Sequence, residues 1–304
     1  MSAVDESSTR PVVGVIGLGI MGGGMARLLV TAGYEVVGYD VADEALSAFT
    51  DAGGIALGGP GSVLGACDVA ILSLPSIGAF REVVAGPHGL TTAASPRARV
   101  VTDTSTMPLD LKQWARDELA AHGVHLLDCT IVGTGAQMAA RDAVFYMSGD
   151  DAEALSLAEG VLADCSKAVF GLGAFGNGTK LKLVANLLVT VHNAVAGEAL
   201  ALARHGGIDP ATALPALNAS GASSRILELR GPMMVAGEYE PPTMKVDVFM
   251  KDVEIITAFA NASRVPVPVF AAAAQLHVAA KACGWGGADT ASVHAIVERL
   301  SGDL

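Results

Sequence analysis

The sequence has little charge, few aromatic residues and four cysteines that share no motif. Charged residues make up 16% of the chain and aromatics 5%. Cys67, Cys129, Cys165 and Cys283 lie far apart and form no CxxC pair. This argues against a zinc ribbon or a redox pair and leaves them as reduced, buried small hydrophobes of a cytoplasmic protein. The seven histidines fall in no HExxH or CxxC…H pattern. His122 and His125 read as a solvated turn near a helix end, so no metal is expected. There is no basic run, and the formal charge of -12 argues against nucleic acid or an anionic membrane as partner. The start, MSAVDESSTR, lacks the basic and apolar segments of a signal peptide. No stretch reads as a membrane span. The most apolar long run, Leu183 to Ala203, carries Asn186, His192, Asn193 and Glu198, which a lone spanning helix would bury at high cost. Repeats and low-complexity tracts are absent as well.

What is present is length, apolar content and a change of pattern midway. The 304 residues suffice for two domains, each with a core. An apolar fraction of 51% is high for a soluble monomer and implies apolar surface buried between subunits, with a homodimer as the expected assembly. The first half alternates strands (Val12–Ile16, Glu35–Tyr39, Asp68–Leu74, Arg99–Asp103, Val124–Asp128, Ala143–Ser148) with helices (Met21–Thr31, Ala42–Thr50, Leu109–His122). Strands separated by helices of that length call for a parallel sheet with right-handed crossovers. From Gly178 to His205 the pattern is one long helix, closed by Gly206-Gly207, and helical segments follow to the end. The expectation is an α/β Rossmann-type domain over residues 1–175. An all-α domain over 176–304 follows it for substrate binding and dimerisation, opened by a long interdomain helix.

Gly17-Leu18-Gly19-Ile20-Met21-Gly22 follows the first strand directly and opens a helix. The first glycine permits a tight turn, the second lets backbone approach a pyrophosphate, and the third lets helix and strand pack closely. The helix N-terminus then faces the phosphates. FAD and S-adenosylmethionine proteins carry the same fingerprint, so the motif alone does not name the cofactor. Asp40 ends the second strand. A carboxylate there accepts ribose hydroxyls and repels the 2′-phosphate of NADP, and Val41, not an arginine, follows it. The plainer reading of Asp40 is a turn aspartate. The expected cofactor is NAD, with NADP disfavoured. Leu74-Pro75-Ser76 and Asp103-Thr104-Ser105-Thr106 end two later strands and should border the same crevice, although Thr104–Thr106 would equally serve to cap the helix after Pro108.

Together, GLGIMG, LP, DTST, GNGTKLKLVAN and FMKDV resemble the β-hydroxyacid dehydrogenases, from about Val13 to Gly287. That family includes 3-hydroxyisobutyrate, tartronate semialdehyde and threonate dehydrogenases and is related to 6-phosphogluconate dehydrogenase. The resemblance implies hydride transfer between a nicotinamide and a small, carboxylate-bearing β-hydroxyacid or its semialdehyde. It implies a dinucleotide site of Gly17, Gly19, Ile20, Met21, Gly22, Asp40, Leu74, Pro75, Ser105 and Lys251. Its catalytic element, GxGxxxK with an amide four residues on, is met by Gly176, Gly178, Lys182 and Asn186, while Lys180 does not fit the spacing. On a helix, positions 182 and 186 share a face one turn apart, so ammonium and amide can reach one substrate oxygen. A lysine partly desolvated in a closed cleft can act as acid or base toward the developing alkoxide. The glycines before the helix would admit substrate or nicotinamide. Without the resemblance, Lys182 and Asn186 read as a solvated lysine and a capping-type asparagine.

The family's DAPVSGG-like carboxylate-binding segment is here Asp128-Cys129-Thr130-Ile131-Val132-Gly133-Thr134. Val132 replaces the usual serine, Thr130 the usual proline, and Ala185 a common asparagine. The implied substrate site is Ser105, Val132, Gly133, Thr134, Lys182 and Asn186, with a less polar pocket than the family standard. Lys251 would lie near nicotinamide and substrate, with Asp252 mostly structural. Arg225 reads as a surface salt bridge. Two alternatives stand beside this reading: an imine reductase, whose members typically lack the lysine present as Lys182, and a catalytically silent dinucleotide-binding protein.

Overall fold

The computed structural model describes residues 10–302. Residues 1–9, on which the absence of a leader was read, lie outside it. The chain forms two compact units, one extending to Lys182 and one from Leu183 onward.

The first unit runs β1 (Val13–Ile16), α1 (Ile20–Thr31), β2 (Val36–Tyr39), α2 (Asp43–Asp51), β3 (Ile55–Ala56), α3 (Pro60–Ala66), β4 (Val69–Leu72), α4 (Ile77–Ala85), β5 (Val100–Asp103), α5 (Leu109–Ala120), β6 (His125–Val132), α6 (Gly135–Ala139), β7 (Val144–Ser148), α7 (Ala152–Ala163) and β8 (Ala168–Gly171). It ends in the first turns of α8 (Asn177–His205). The sheet order is β3-β2-β1-β4-β5-β6-β7-β8. The first six of these strands pair in parallel. The order reverses between β1 and β4, which is the switch point where ligands sit in such sheets. Both faces are buried, as crossover helices require. Val13, Val15, Val69 and Ile71 pack on one side, and Ile16, Ala70, Leu72 and Val101 on the other.

Two expectations need correction. The sheet is not wholly parallel, because β7 returns antiparallel to β6. The intervening segment, from Gly133 through the five-residue α6, is too short for a crossover. The strand read as ending at Asp128 continues to Val132.

The second unit holds the rest of α8, then α9 (Pro210–Asn218), α10 (Arg225–Ala236), α11 (Val246–Ala262), α12 (Pro268–Ala282) and α13 (Val293–Ser301). Leu200, Leu227, Met234 and Val293 form one core, and Leu183, Phe249, Val253 and Phe270 another. The buried Arg230–Asp289 pair, 3.1 Å apart, ties α10 to the segment before α13. Asp289 also accepts from the Thr243, Met244 and Ala291 backbone N–H groups.

By length and composition α8 could cross a membrane, contrary to the expectation that no stretch would. Two of its polar side chains, Asn186 and Asn193, are nevertheless bonded to other segments of the protein. Asn193 donates to the Thr290 carbonyl at 2.6 Å, and His294 Nδ1 meets the Gly197 carbonyl at 3.1 Å. These contacts mark a core helix of a globular unit. Cys67, Cys129 and Cys165 are free and buried, as expected, but Cys283 is exposed just past α12.

Candidate active site

The glycine turn has the shape its sequence implies. Gly17 has φ +89°, and a Cβ there would sit 2.2 Å from the Ser73 carbonyl oxygen. A Cβ on Gly22 would meet the Gly17 carbonyl, so α1 could not lie this close to β1 with any larger residue. A Cβ on Gly19, by contrast, would meet nothing within 4 Å. The backbone at the head of α1 is open on that side. Ile20 beside it is 74% exposed, whereas Met21 packs against the sheet core. Asp40, at the end of β2, turns its carboxylate into this turn. Its Oδ2 accepts the Leu18 N–H at 2.6 Å and its Oδ1 the Ala42 N–H at 2.9 Å.

The ends of β4 and β5 are joined by a hydrogen bond from the Leu74 N–H to Ser105 Oγ, 2.9 Å. Ser105 is in turn held by Asp103, whose Oδ1 accepts the Ser105 N–H at 3.0 Å. Pro75 is exposed, and the next residue, Ser76, caps α4. The alternative reading of the segment Thr104–Thr106 as a cap for α5 is not met at Thr104. Pro108 occupies the N-cap, and Thr104 Oγ1 donates to the Leu72 carbonyl instead. Leu74, Pro75 and Ser105 therefore join Gly17–Gly22 and Asp40 along the carboxyl edge of the parallel strands.

At the end of β6, Val132 is half-buried and Gly133 takes φ +151°. Thr134 caps α6 in a reciprocal box with Gln137: its Oγ1 accepts the Gln137 N–H at 3.3 Å, and Gln137 Oε1 accepts the Thr134 N–H at 3.0 Å. The Thr134 hydroxyl expected at substrate is thus engaged in local structure.

The start of α8 corrects another expectation. Gly176 and Gly178 do not leave room for a ligand, because protein fills that space. A Cβ on Gly176 would meet Leu109 at 2.6 Å, and one on Gly178 would meet the Tyr146 carbonyl at 2.4 Å and the Asp128 carbonyl at 2.7 Å. Gly178 lets the helix start press against β6 and β7, and Gly176, the residue before it, lets the chain press against Leu109 of α5. The N–H groups left unpaired at a helix start find acceptors there. Gly178 N–H donates to Ser148 Oγ at 2.9 Å and Thr179 N–H to Asp128 Oδ2 at 2.6 Å. A carboxylate at this end also complements the helix dipole.

Lys182 follows on the same helix and is half-buried, and Lys180 bonds locally to Asn177 Oδ1 at 3.1 Å. In the second unit Asn186 is 5% exposed, and its Nδ2 donates to Asp252 Oδ2 at 2.8 Å. Lys251, on α11, pairs with Asp252 at 3.3 Å. Arg225 pairs with Glu228 at 2.9 Å on the surface, as expected.

Sequence reasoning missed the group beneath the helix start. Lys112, on α5, is fully buried; its Nζ lies 2.9 Å from Asp103 Oδ2 and 2.7 Å from Asp128 Oδ1. Burial alone would lower the Lys112 pKa, but the two carboxylates outweigh it and the net direction is up. The ammonium stays charged. Removing one partner of such a buried group costs about 3–5 kcal/mol, because the others are left uncompensated. Nothing in the spacing of α5 marks Lys112, since a lysine in an amphipathic helix ordinarily faces water.

The match to known proteins covers the whole of this framework. A family model for the NAD binding domain of 6-phosphogluconate dehydrogenase matches residues 12–176. One for the NAD-binding of NADP-dependent 3-hydroxyisobutyrate dehydrogenase matches 176–297. L-threonate dehydrogenase of Cupriavidus necator is 36% identical over 282 residues, 92% of this chain and 94% of that protein. 2-(Hydroxymethyl)glutarate dehydrogenase of Eubacterium barkeri is 27% identical, with 95% and 96% covered. A crystal structure of 3-hydroxyisobutyrate dehydrogenase from Salmonella typhimurium gives a TM-score of 0.85 at 28% identity, covering 94% of this chain and 99% of that one. With relatives of this likeness along nearly its full length, the chain belongs to the β-hydroxyacid dehydrogenase family and is an NAD(P)-dependent dehydrogenase acting on CH–OH groups.

Proposed function

We propose that this enzyme oxidises a small β-hydroxyacid, with L-threonate the first candidate, using NAD and with Lys182 as the proton-transfer group. The observation that carries the reading is the placement of Lys182 and Asn186 one turn apart on α8, whose first turn is bonded to β6 and β7. The dinucleotide fits the open backbone at Gly19 and the acidic end of β2 at Asp40. Bound there, it supplies the hydride acceptor in oxidation and the donor in reduction.

The chain's own residues supply the rest. Lys182 takes the hydroxyl proton as the carbonyl forms and returns it in the reverse direction, work typically worth about 10²–10⁴-fold in rate. Asn186, oriented by Asp252, holds the substrate oxygen. The Gly133 N–H binds the carboxylate. Val132 offers no hydroxyl where the family's serine stands, so three-carbon acids are held less well than larger ones. L-Threonate is favoured because the relative of 36% identity bears that name. The free cysteines suit a reducing cytoplasm.

Initial rates on L-threonate, 3-hydroxyisobutyrate and 3-hydroxypropionate, each with NAD+ and NADP+, test the proposal. L-Threonate with NAD+ should be fastest and 3-hydroxypropionate slowest. Dinucleotide binding without turnover of any acid would instead identify a silent binder, and efficient oxidation of 3-hydroxypropionate would remove Val132 from the pocket.

A further inference from the structure

We propose that Thr130, together with the buried Lys112–Asp128 pair, forms a positioning clamp that fixes the first turn of α8 against β6 and so sets the place of Lys182. The inference rests on the reading of Lys182 as the proton-transfer group.

Alternate residues of a strand face the same side. Asp128 and Thr130 both turn toward the helix start and grip successive residues of it. Thr179 donates to Asp128 twice, from its N–H to Oδ2 at 2.6 Å and from its hydroxyl to Oδ1 at 2.7 Å. Thr130 Oγ1 donates to the Gly178 carbonyl at 2.9 Å. From the neighbouring strand, Ser148 Oγ accepts the Gly178 N–H at 2.9 Å and donates to the Asp128 carbonyl at 3.2 Å. In an α-helix the carbonyl of residue 178 accepts the N–H of residue 182. The Thr130 hydroxyl therefore bonds the very oxygen that closes the turn bearing Lys182. Every side chain in this group is fully buried, so its geometry is not averaged by solvent.

The clamp also reaches the strand ends assigned to the dinucleotide. Lys112 Nζ bridges Asp128 and Asp103, Asp103 holds the Ser105 N–H, and Ser105 Oγ holds the Leu74 N–H. One continuous chain of polar contacts links the shelf at Leu74 and Ser105 to the first turn of α8. Thr130 stands where the family's usual residue is proline, which has no hydroxyl to give. This part of the clamp belongs to this chain's own sequence. Thr130, Asp128 and Lys112 act through Lys182 and are positioning residues.

The test compares Thr130→Val with Thr130→Ser. Valine keeps the shape and removes the donor, whereas serine keeps the donor. Amide hydrogen exchange at residues 178–182 and kcat on L-threonate with NAD+ are read side by side. Thr130→Val should speed exchange in that turn about 10-fold and lower kcat about 10-fold at little-changed KM for NAD+. Thr130→Ser should restore both. Ser148→Ala, which removes the acceptor of the Gly178 N–H, should act in the same direction. Unchanged exchange and unchanged kcat in Thr130→Val would overturn the clamp, and so would a serine variant as impaired as the valine one. Lys182→Ala is run in parallel. If that variant turns over normally, the proton-transfer reading fails on its own, while the exchange measurement still decides the clamp.

Discussion

The Leu18 backbone N–H donates to Asp40 Oδ2 at 2.6 Å, so the acidic end of β2 is tied to the glycine turn at the end of β1. Asp40 thus braces the turn and puts negative charge beside it. A 2′-phosphate brought there meets that charge, while ribose hydroxyls find an acceptor. Wild-type enzyme should show a higher kcat/KM with NAD+ than with NADP+, and Asp40→Ser should narrow the ratio by at least about 10-fold, equivalent to about 1.4 kcal/mol. The same variant should lower the thermal midpoint, because the Leu18 N–H loses its acceptor. Equal or reversed cofactor preference in the wild type would mean that the carboxylate faces away from the ribose.

The Asn186–Asp252 contact, 2.8 Å long and buried, leads to a second expectation. Asp252→Ala frees the amide to rotate, and in the role proposed for Asn186, at the substrate oxygen, such misplacement is costly in rate. The variant should lose about 10-fold or more in kcat with KM for the dinucleotide little changed. A change confined to thermal stability would show that Asp252 serves the fold and not the amide.

The general architecture was legible because its signals are redundant. Apolar runs ending in glycine or aspartate alternate with amphipathic helices, and the long α8 shows a helical pattern unbroken by proline from Gly178 to His205. The short elements were not. β3 has two residues and α6 five, too few to show any period. The return of β7 against β6 was hidden for the same reason, since the turn at Gly133 announces a break but not a direction. The motifs placed Gly17 just after β1, Asp40 just after β2 and Lys182 on α8, where the structure has them. They misread Gly176 and Gly178, because a glycine admits a neighbouring helix or strand as readily as a ligand. Lys112 and Thr130 were invisible because their partners come from different strands and helices, which only the folded sheet brings together.

His277, on α12, is buried beside the Phe249 ring, with centroids 5.3 Å apart. Burial, and then the charge of Arg230, lower its pKa to about 4. The unfolded chain protonates this ring near pH 6.5, before the folded one does. Stability is therefore complete above about pH 6.5 and is lost as pH falls toward 4, by about 2 kcal/mol at pH 5. Urea unfolding at pH 7 and pH 5 should show a smaller loss in His277→Leu than in wild type. Equal losses in the two would assign the pH dependence elsewhere.

Four exposed side chains on α8, Val184, Leu188, Val195 and Leu202, are 48%, 49%, 48% and 75% accessible. At 3.6 residues per turn they fall within about 40° of one another, a single apolar stripe along the helix. The homodimer expected from the apolar composition would cover it. Light scattering at micromolar concentration should give a dimer or larger assembly, and Leu188→Glu with Leu202→Glu should shift it toward monomer. A stable, active wild-type monomer would contradict the inference.

Lys182 moves the proton in the proposed mechanism. The most direct measurement of that role is kcat and NAD+ affinity for Lys182→Ala beside Lys180→Ala. Lys182→Ala should lower kcat about 10²–10⁴-fold with NAD+ affinity nearly unchanged, and Lys180→Ala should have a mild effect. A Lys182→Ala enzyme that keeps more than about a tenth of wild-type kcat, or a larger loss in Lys180→Ala, would contradict it.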